Sequence, residues 1–328
     1  MRKLASIQKI KTLEPIKDAD AIMKATVLGW QLVVKKGEFE IGDLCVYCEI
    51  DSILPDRPEF EFLKTRNMRI RTIRLRGQVS QGICFPLSIL PKDVKPVENM
   101  DVTEILKITK YEAPIPAHLE GKVKGKFPSF IPKTDETRVQ VLQDLLDKYT
   151  GKIFYISEKL DGSSATFYHY NGEFGVCSRN LELLETEDNT LWKLARKLDI
   201  ENKLKSLRGN FALQAEVIGE SIQGNKYKLH GQDLRFFNLF DIDKYKYFDF
   251  EEFIKTLEKL HLTTVPILDT NFKMINNIEK LVELSIGKSK LHNVQREGIV
   301  LRPIHEKQDM IGRVSFKVVS PKFLLKFE

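Results

Sequence analysis

The run Glu158-Lys159-Leu160-Asp161-Gly162 sets a lysine between two carboxylates and beside a glycine. A lysine amine is a nucleophile only without its proton. With an ordinary pKa of about 10.4, about one lysine in a few thousand is neutral at pH 7. Burial or nearby cations must lower that value before Lys159 can attack phosphorus. Asp161 points differently from Lys159 and is placed to hold a metal. A K-x-D-G run also recurs by chance, as a lysine beside a turn in an ordinary hairpin, so the surrounding elements must decide. Upstream, Ile153-Phe154-Tyr155-Ile156 reads as a buried strand. Downstream, Ser163-Ser164-Ala165-Thr166-Phe167 reads as a return strand, with Gly162 marking the turn. The expectation is a hairpin with Lys159 at its mouth.

Composition bounds what such a lysine can serve. The chain has 328 residues, 42% hydrophobic and 30% charged, which favours two globular domains with ample core material. No apolar run approaches the ~20 residues that span a bilayer, and the N-terminal residues lack a secretory apolar segment. No membrane partner is expected, and an intracellular, cytoplasmic location is. Four cysteines do not make a disulfide framework. Cys45 and Cys48 form a C-x-x-C inside an apparent strand with no second pair, a poor pattern for zinc. The net charge of +6 permits a nucleic-acid partner without demanding one.

Residues 1–110 carry many short β-rich runs, among them Ala25–Leu28, Trp30–Val34, Cys45–Ile50 and Gly82–Leu87, punctuated by glycine and proline. This is the pattern of a small β-barrel. Within it, Lys64 to Gly77 holds six basic residues and no acid. Arg69 and Arg71 alternate on a strand period. Arg74 and Arg76 do so after a one-residue phase shift, consistent with a bulge. Such a ribbon can lay guanidinium groups along a phosphate backbone, though a solvated strand face has the same composition. Residues 111–132, with four prolines and two glycines, read as the linker. A helix is expected next, capped by Thr134 or Asp135, with a stripe of Val139, Leu142, Leu145 and Leu146. From 153 onward strands alternate with helices. One helix should run from Asp249 to Leu260, with Asp249 and Glu252 in capping-box spacing, and another over 278–291, loosened by Gly287.

The second half has neither of the common glycine-rich phosphate loops. Instead, several expected strands end in charge: Lys159 with Asp161, Arg179, Glu216, Glu297 and Lys317. Together they would supply a nucleophile, carboxylates for a divalent cation and cations for phosphates. Those are the parts that phosphoryl and nucleotidyl transfer need.

The order Glu158-Lys-Leu-Asp-Gly162, Ser178-Arg-Asn180, Glu216-Val-Ile-Gly219, Phe237-Asn-Leu-Phe-Asp-Ile242, Glu297-Gly-Ile-Val-Leu301 and Ser315-Phe-Lys317 resembles the motif series of the covalent nucleotidyltransferases. That superfamily comprises DNA ligases, RNA ligases and mRNA capping enzymes. The details are most similar to ATP-dependent, nick-sealing RNA ligases, in the branch where an OB-fold module precedes the catalytic domain. Gln223-Gly-Asn-Lys-Tyr227 and the stretch from Phe127 to Arg138 also resemble that branch. The resemblance implies an α+β chain: an OB-like barrel at 1–110, then an adenylyltransferase (ATP-grasp-like ligase) domain of antiparallel sheets with flanking helices at 133–328. It implies that Lys159 attacks the α-phosphate of ATP to form a lysyl-adenylate. Glu158 would read the adenine amino edge, and Phe240 would stack on the ring. Arg179 would engage the ribose or the RNA end. Asp161, Glu216 and Glu297 would hold Mg2+ or Mn2+, directly or through its waters. Lys317 would contact the α-phosphate and depress the pKa of Lys159. Lys133 and Arg138 would meet the departing pyrophosphate. The partner implied is nicked duplex nucleic acid with an RNA 3′-OH end, with Arg69, Arg71, Arg74 and Arg76 on its backbone and the enzyme a monomer.

Two departures stand out. Many relatives carry K-x-K in the last motif, and here Val319 replaces the second lysine; Lys322 is a candidate substitute only if the chain turns at Pro321. No further domain follows that motif before Glu328. A DNA ligase, a GTP-using capping guanylyltransferase and an inactive nucleic-acid-binding relative are the rival readings.

Overall fold

The computed structural model describes residues 2–112 and 122–327. An N-terminal five-stranded antiparallel sheet runs, edge to edge, Trp30–Lys35, Ala19–Val27, Ala5–Ile16, Leu44–Cys48, Ile83–Phe85. The 12-residue Ala5–Ile16 strand pairs with two partners, and bulges let it bend between them. Trp30, Tyr47 and Phe60 fill the core it encloses, with Cys45 and Cys48 buried among them. The expected β-barrel is therefore present at its expected strands.

The second half is built on two sheets. A seven-stranded sheet is centred on Ser163–Tyr170, Phe211–Gly219 and Gln232–Asp241. A five-stranded sheet runs in the order Thr137–Arg138, Phe316–Val319, Gly298–Pro303, Ile153–Lys159, Ile267–Lys273. The expected hairpin at Lys159 is absent. Ile153–Lys159 pairs with Gly298–Pro303 and Ile267–Lys273, whereas Ser163–Tyr170 pairs in the other sheet. Leu160–Gly162 thus crosses from one sheet to the other, and a strand buried on both flanks cannot show its partner in its own periodicity. Gly162 is required there: a Cβ would lie 2.2 Å from the Val217 carbonyl oxygen.

Three further expectations are corrected. Thr134 and Asp135 cap no helix; Thr137–Arg138 forms a short parallel strand with Phe316–Lys317, and the helix is Gln143–Tyr149. The stripe of Val139, Leu142, Leu145 and Leu146 is nonetheless buried in one core. Asp249 precedes the Phe250–Lys259 helix, but its carboxylate accepts from His305 and the Glu306 amide instead of capping. The next helix stops at Ser285, short of Gly287.

Part of the proposed linker, 113–121, lies outside the described residues. Val123–Lys126 already belongs to the seven-stranded sheet, paired with Leu181–Leu183. The two halves are also joined by the chain's end. Val319, at the end of the Phe316–Val319 strand, and Phe323 and Leu324, on the Pro321–Phe327 helix, lie in the barrel's own core. Val319 is thus a core contact where relatives would place a lysine, and Lys322 is exposed on the helix. No helix among the described residues is long and apolar enough to cross a membrane.

Candidate active site

Antiparallel pairing of Lys159 with Gly298 brings Glu297 beside the lysine at the strand end. Lys159 Nζ lies 2.7 Å from Glu297 Oε1. Glu216 arrives from the other sheet, across from Ser164, as the chain crosses over at Gly162. Lys317 comes from the neighbouring strand, opposite Val300. The structure therefore assembles Lys159, Glu216 and Lys317 from three strands, Glu297 from the residue before a fourth, and Asp161 from the crossover.

The charges are unbalanced toward the acids. Burial alone would lower the pKa of Lys159, but Glu297, Glu216 and Asp161 together outweigh it, and the ammonium is held above the ordinary lysine value. Burial, with repulsion from Glu297 and Asp161, pushes Glu216 up to about 8 against the pull of Lys159. Burial and Asp161 likewise raise Glu297. Lys317 carries the depressed value instead, lowered to about 7 by burial, then by Arg138 and Lys159. Lys159 is thus raised where a depressed value was expected, because the charges of three acids act on it.

Strand alternation turns Glu158 to the opposite side from Lys159. Glu158 is 1% exposed; its Oε2 accepts from the Lys290 amide at 2.8 Å, and its Oε1 is buried without a partner. An acceptor left in that condition is costly unless a ligand donor meets it. Glu297 Oε2 is a second such atom.

Phe240 is not at this site. It is 1% exposed, packed edge-on against Tyr245 and Tyr247 in a core with Tyr168 and Ile242. The reason is a bulge: Gln214 pairs with Asn238 but Ala215 with Phe236, which leaves Phe237 as the extra residue. Phe237 is the part-exposed ring beside Leu160, Tyr227 and Val265. A register slip of this kind has no local sequence signal. Arg302, missed from sequence, secures the bulge: it donates to the Phe237 carbonyl at 3.0 Å, to Glu136 at 2.9 Å and to Ser315 Oγ at 2.8 Å.

Arg179 is exposed and ion-paired with Asp135, while Lys133 donates to Asn180 Oδ1 at 3.1 Å. Arg138 stands beside Lys317 in the parallel pair, and its guanidinium reaches Asp51 of the barrel at 2.9 Å. The arginine ribbon is largely corrected. Only Thr72–Leu75 is a strand, because Asn67 and Met68 take positive φ and turn the chain. Arg69 is 8% exposed, paired with Asp51 at 2.9 Å and stacked 3.6 Å over Tyr111, so it faces inward. Arg71 is half-buried; Arg74 and Arg76 are exposed at the Thr72–Leu75/Gln78–Gln81 hairpin.

An RNA ligase family model matches residues 152–319, which encloses the whole cluster around Lys159, and an OB-fold domain model matches residues 4–87. The chain belongs to the RNA ligase family. Among solved structures it is similar to Naegleria gruberi RNA ligase with pyrophosphate, at 41% identity and TM-score 0.92, covering 99% of this chain and 98% of that one. It is equally similar to variants of the Naegleria ligase with ATP and Mn and with AMP and Mn, each at 41% identity and TM-score 0.92 and covering 98% of both chains. No curated protein sequence matches the chain. This RNA ligase is thus an α+β enzyme with an OB-fold module ahead of its catalytic domain.

Proposed function

We propose that this RNA ligase is ATP-dependent and seals nicks through a lysyl-AMP formed at Lys159. The observation that carries the reading is Lys159 Nζ at 2.7 Å from Glu297, with the charges of Glu216 and Asp161 acting on it and Lys317 on the strand beyond Gly298–Pro303. In the first step the Lys159 amine bonds to the α-phosphorus of ATP, and the bond to pyrophosphate breaks. Glu297 Oε1 accepts from the Lys159 ammonium at 2.7 Å and has a raised pKa, so it is the group placed to take that proton. Lys317 stabilises the α-phosphate. Glu158, with its unpartnered oxygen, accepts from the adenine amino group. Phe237, in place of Phe240, supplies the ring face. Lys133 and Arg138 are the proposed cations for pyrophosphate, and Arg179 for the ribose or the RNA end.

The cluster is acid-rich and would attract a divalent cation: burial, with Asp161 adding to it, raises both Glu216 and Glu297, and one Glu297 oxygen is buried without a partner. Asp161, Glu216 and Glu297 would hold it. Mg2+ or Mn2+ supplies charge neutralisation at the transferred phosphate when bound. AMP then passes to a 5′-phosphate, and a 3′-OH displaces it to form the phosphodiester. The barrel grips duplex beside the nick, and an RNA 3′-OH end is preferred. The Naegleria ligase structures with ATP, AMP, Mn and pyrophosphate support the same nucleotide and metal class here. The enzyme acts as a cytoplasmic monomer.

The test uses labelled ATP or GTP with Mn2+. Label from ATP should become bound to protein, stable to alkali and labile to acid, and should vanish in Lys159→Ala. Label from GTP alone would replace this reading with the capping one; adduct retained by Lys159→Ala would show another nucleophile.

A further inference from the structure

Lys226 occupies a place that the chemistry above leaves unexplained. Its ammonium is ion-paired with Asp161 Oδ2 and donates to the Gln223 carbonyl at 2.7 Å. It also lies 5.7 Å from the ring centroid of Phe323 and 5.2 Å from that of Phe327. The next residue, Tyr227, is buried, and its hydroxyl accepts from the Asp161 backbone amide at 2.8 Å. Consecutive residues therefore hold both the side chain and the backbone of Asp161, two positions beyond the nucleophile.

We propose that Lys226 is a positioning residue, the resident cation that fixes Asp161 and ties the Leu160–Gly162 crossover to the C-terminal helix. The inference rests on the assignment of Asp161 to the metal. Exposed ion pairs contribute little, but this one is enclosed: the Lys226 and Asp161 side chains are 16% and 18% exposed. An ammonium has three donors. One is spent on the carboxylate and one on a carbonyl, and the aromatic faces stabilise the remaining positive charge. Those rings are not free to drift, since Phe323 is buried in the barrel core and the two rings pack at 4.8 Å. The path from barrel core to Phe323 and Phe327, to Lys226, to Asp161 is continuous. It gives the Pro321–Phe327 helix a role at the site although none of its residues belongs to the cluster around Lys159.

The geometry sets two opposed effects. Lys226 places the Asp161 carboxylate, so its loss should slow adenylation. Its ammonium also competes for that carboxylate, so its loss should tighten divalent-cation binding. A residue needed only for folding would not separate them. The full-length chain would be titrated with Mn2+ alone, without ATP, by electron paramagnetic resonance of the free ion. Lysyl-adenylate formation would be timed separately at saturating Mn2+ and ATP. Lys226→Met keeps the apolar stem and removes the charge. It should bind Mn2+ roughly three- to tenfold more tightly, yet form the adduct roughly ten- to a hundredfold more slowly. Lys226→Arg, which can still pair and stack, should recover to within about threefold of wild type. Phe327→Ala should show the same split at smaller size, and it carries the test should Lys226→Met fail to fold. Wild-type rates in both Lys226→Met and Phe327→Ala would overturn the proposal, as would slow adduct formation accompanied by weaker Mn2+ binding. A wild-type chain that forms no adduct from ATP would overturn the ligase reading instead.

Discussion

Two buried charge clusters in this molecule are near mirror images. At the barrel's contact with the catalytic half, Asp51 is met by Arg69 and Arg138 at 2.9 Å each and by Arg2 at 3.8 Å. In the cleft, Lys159 is met by Glu297, Glu216 and Asp161. The outcomes differ. At Asp51 burial opposes ionisation, but Arg138, Arg69 and Arg2 prevail and its carboxyl falls below the usual value. The Asp51 carboxylate is charged and satisfied there, beside the Arg2–Glu49 pair. In the cleft Lys159 pairs with Glu297 and Lys226 with Asp161, yet these cations do not offset the burial of the acids, and Glu216 and Glu297 both rise. In the first cluster Asp51 finds its partners within the chain, and its pairing with Arg138 joins the barrel to the second half. The second is incomplete, and completing it takes positive charge from outside the chain. That incompleteness, more than the presence of charge, separates a catalytic cluster from a structural one.

The comparison breaks most directly at Asp51. Asp51→Asn leaves the guanidiniums of Arg69 and Arg138 without their carboxylate and should cost about 3–5 kcal/mol of stability in urea unfolding at pH 7. A variant that unfolds with the wild type would refute the closed-cluster account. In the cleft the sign should invert. Glu216→Gln should slow lysyl-adenylate formation by roughly a hundredfold or more, yet stabilise the metal-free protein. Glu216 keeps its proton up to about 8 when folded and releases it near 4.5 when unfolded. It therefore withdraws stability progressively as pH rises from 4.5 through 8. Melting curves should place Glu216→Gln above wild type at pH 8, with the gap closing toward pH 4.5; a gap that widens on acidification would contradict this.

Smaller effects sharpen the contrast. Phe237→Ala should weaken ATP binding by about 1–3 kcal/mol, read as a raised KM in adenylation, if its ring supplies the stacking face. An unchanged KM would return that role to another side chain. The smallest change is expected for the exposed Arg74 and Arg76. Reversing both to glutamate should reduce nick sealing a few-fold at low salt, less at high salt, and spare adenylation. Equal loss in both steps would deny the barrel a separate role in gripping nucleic acid.

The corrections share a cause. Arg69 and Arg74 look alike in sequence, since each is an arginine in a basic run without acids. Asp51, 18 residues away, makes one of them an interior residue. Phe237 and Phe240 sit in one aromatic strand, and a bulge in the pairing with Phe211–Gly219 decides which of them faces Leu160. Lys226 was visible only as part of Gln223-Gly224-Asn225-Lys226-Tyr227; its partner Asp161 is 65 residues distant.

By itself the sequence determined the residues available for chemistry: Lys159, the acids Asp161, Glu216 and Glu297, and Lys317, in motif order, with a β-rich module ahead of them. Those are matters of residue type and local spacing, which each strand carries within itself. The tertiary structure decided which acid touches Lys159, that Leu160–Gly162 crosses between sheets, which ring faces the cleft, and that the last helix completes the barrel core. Each of these depends on pairing register and burial between distant segments. Register is set by the partner strand, and a pKa by every charge that folding brings near, so neither is written at the residue itself.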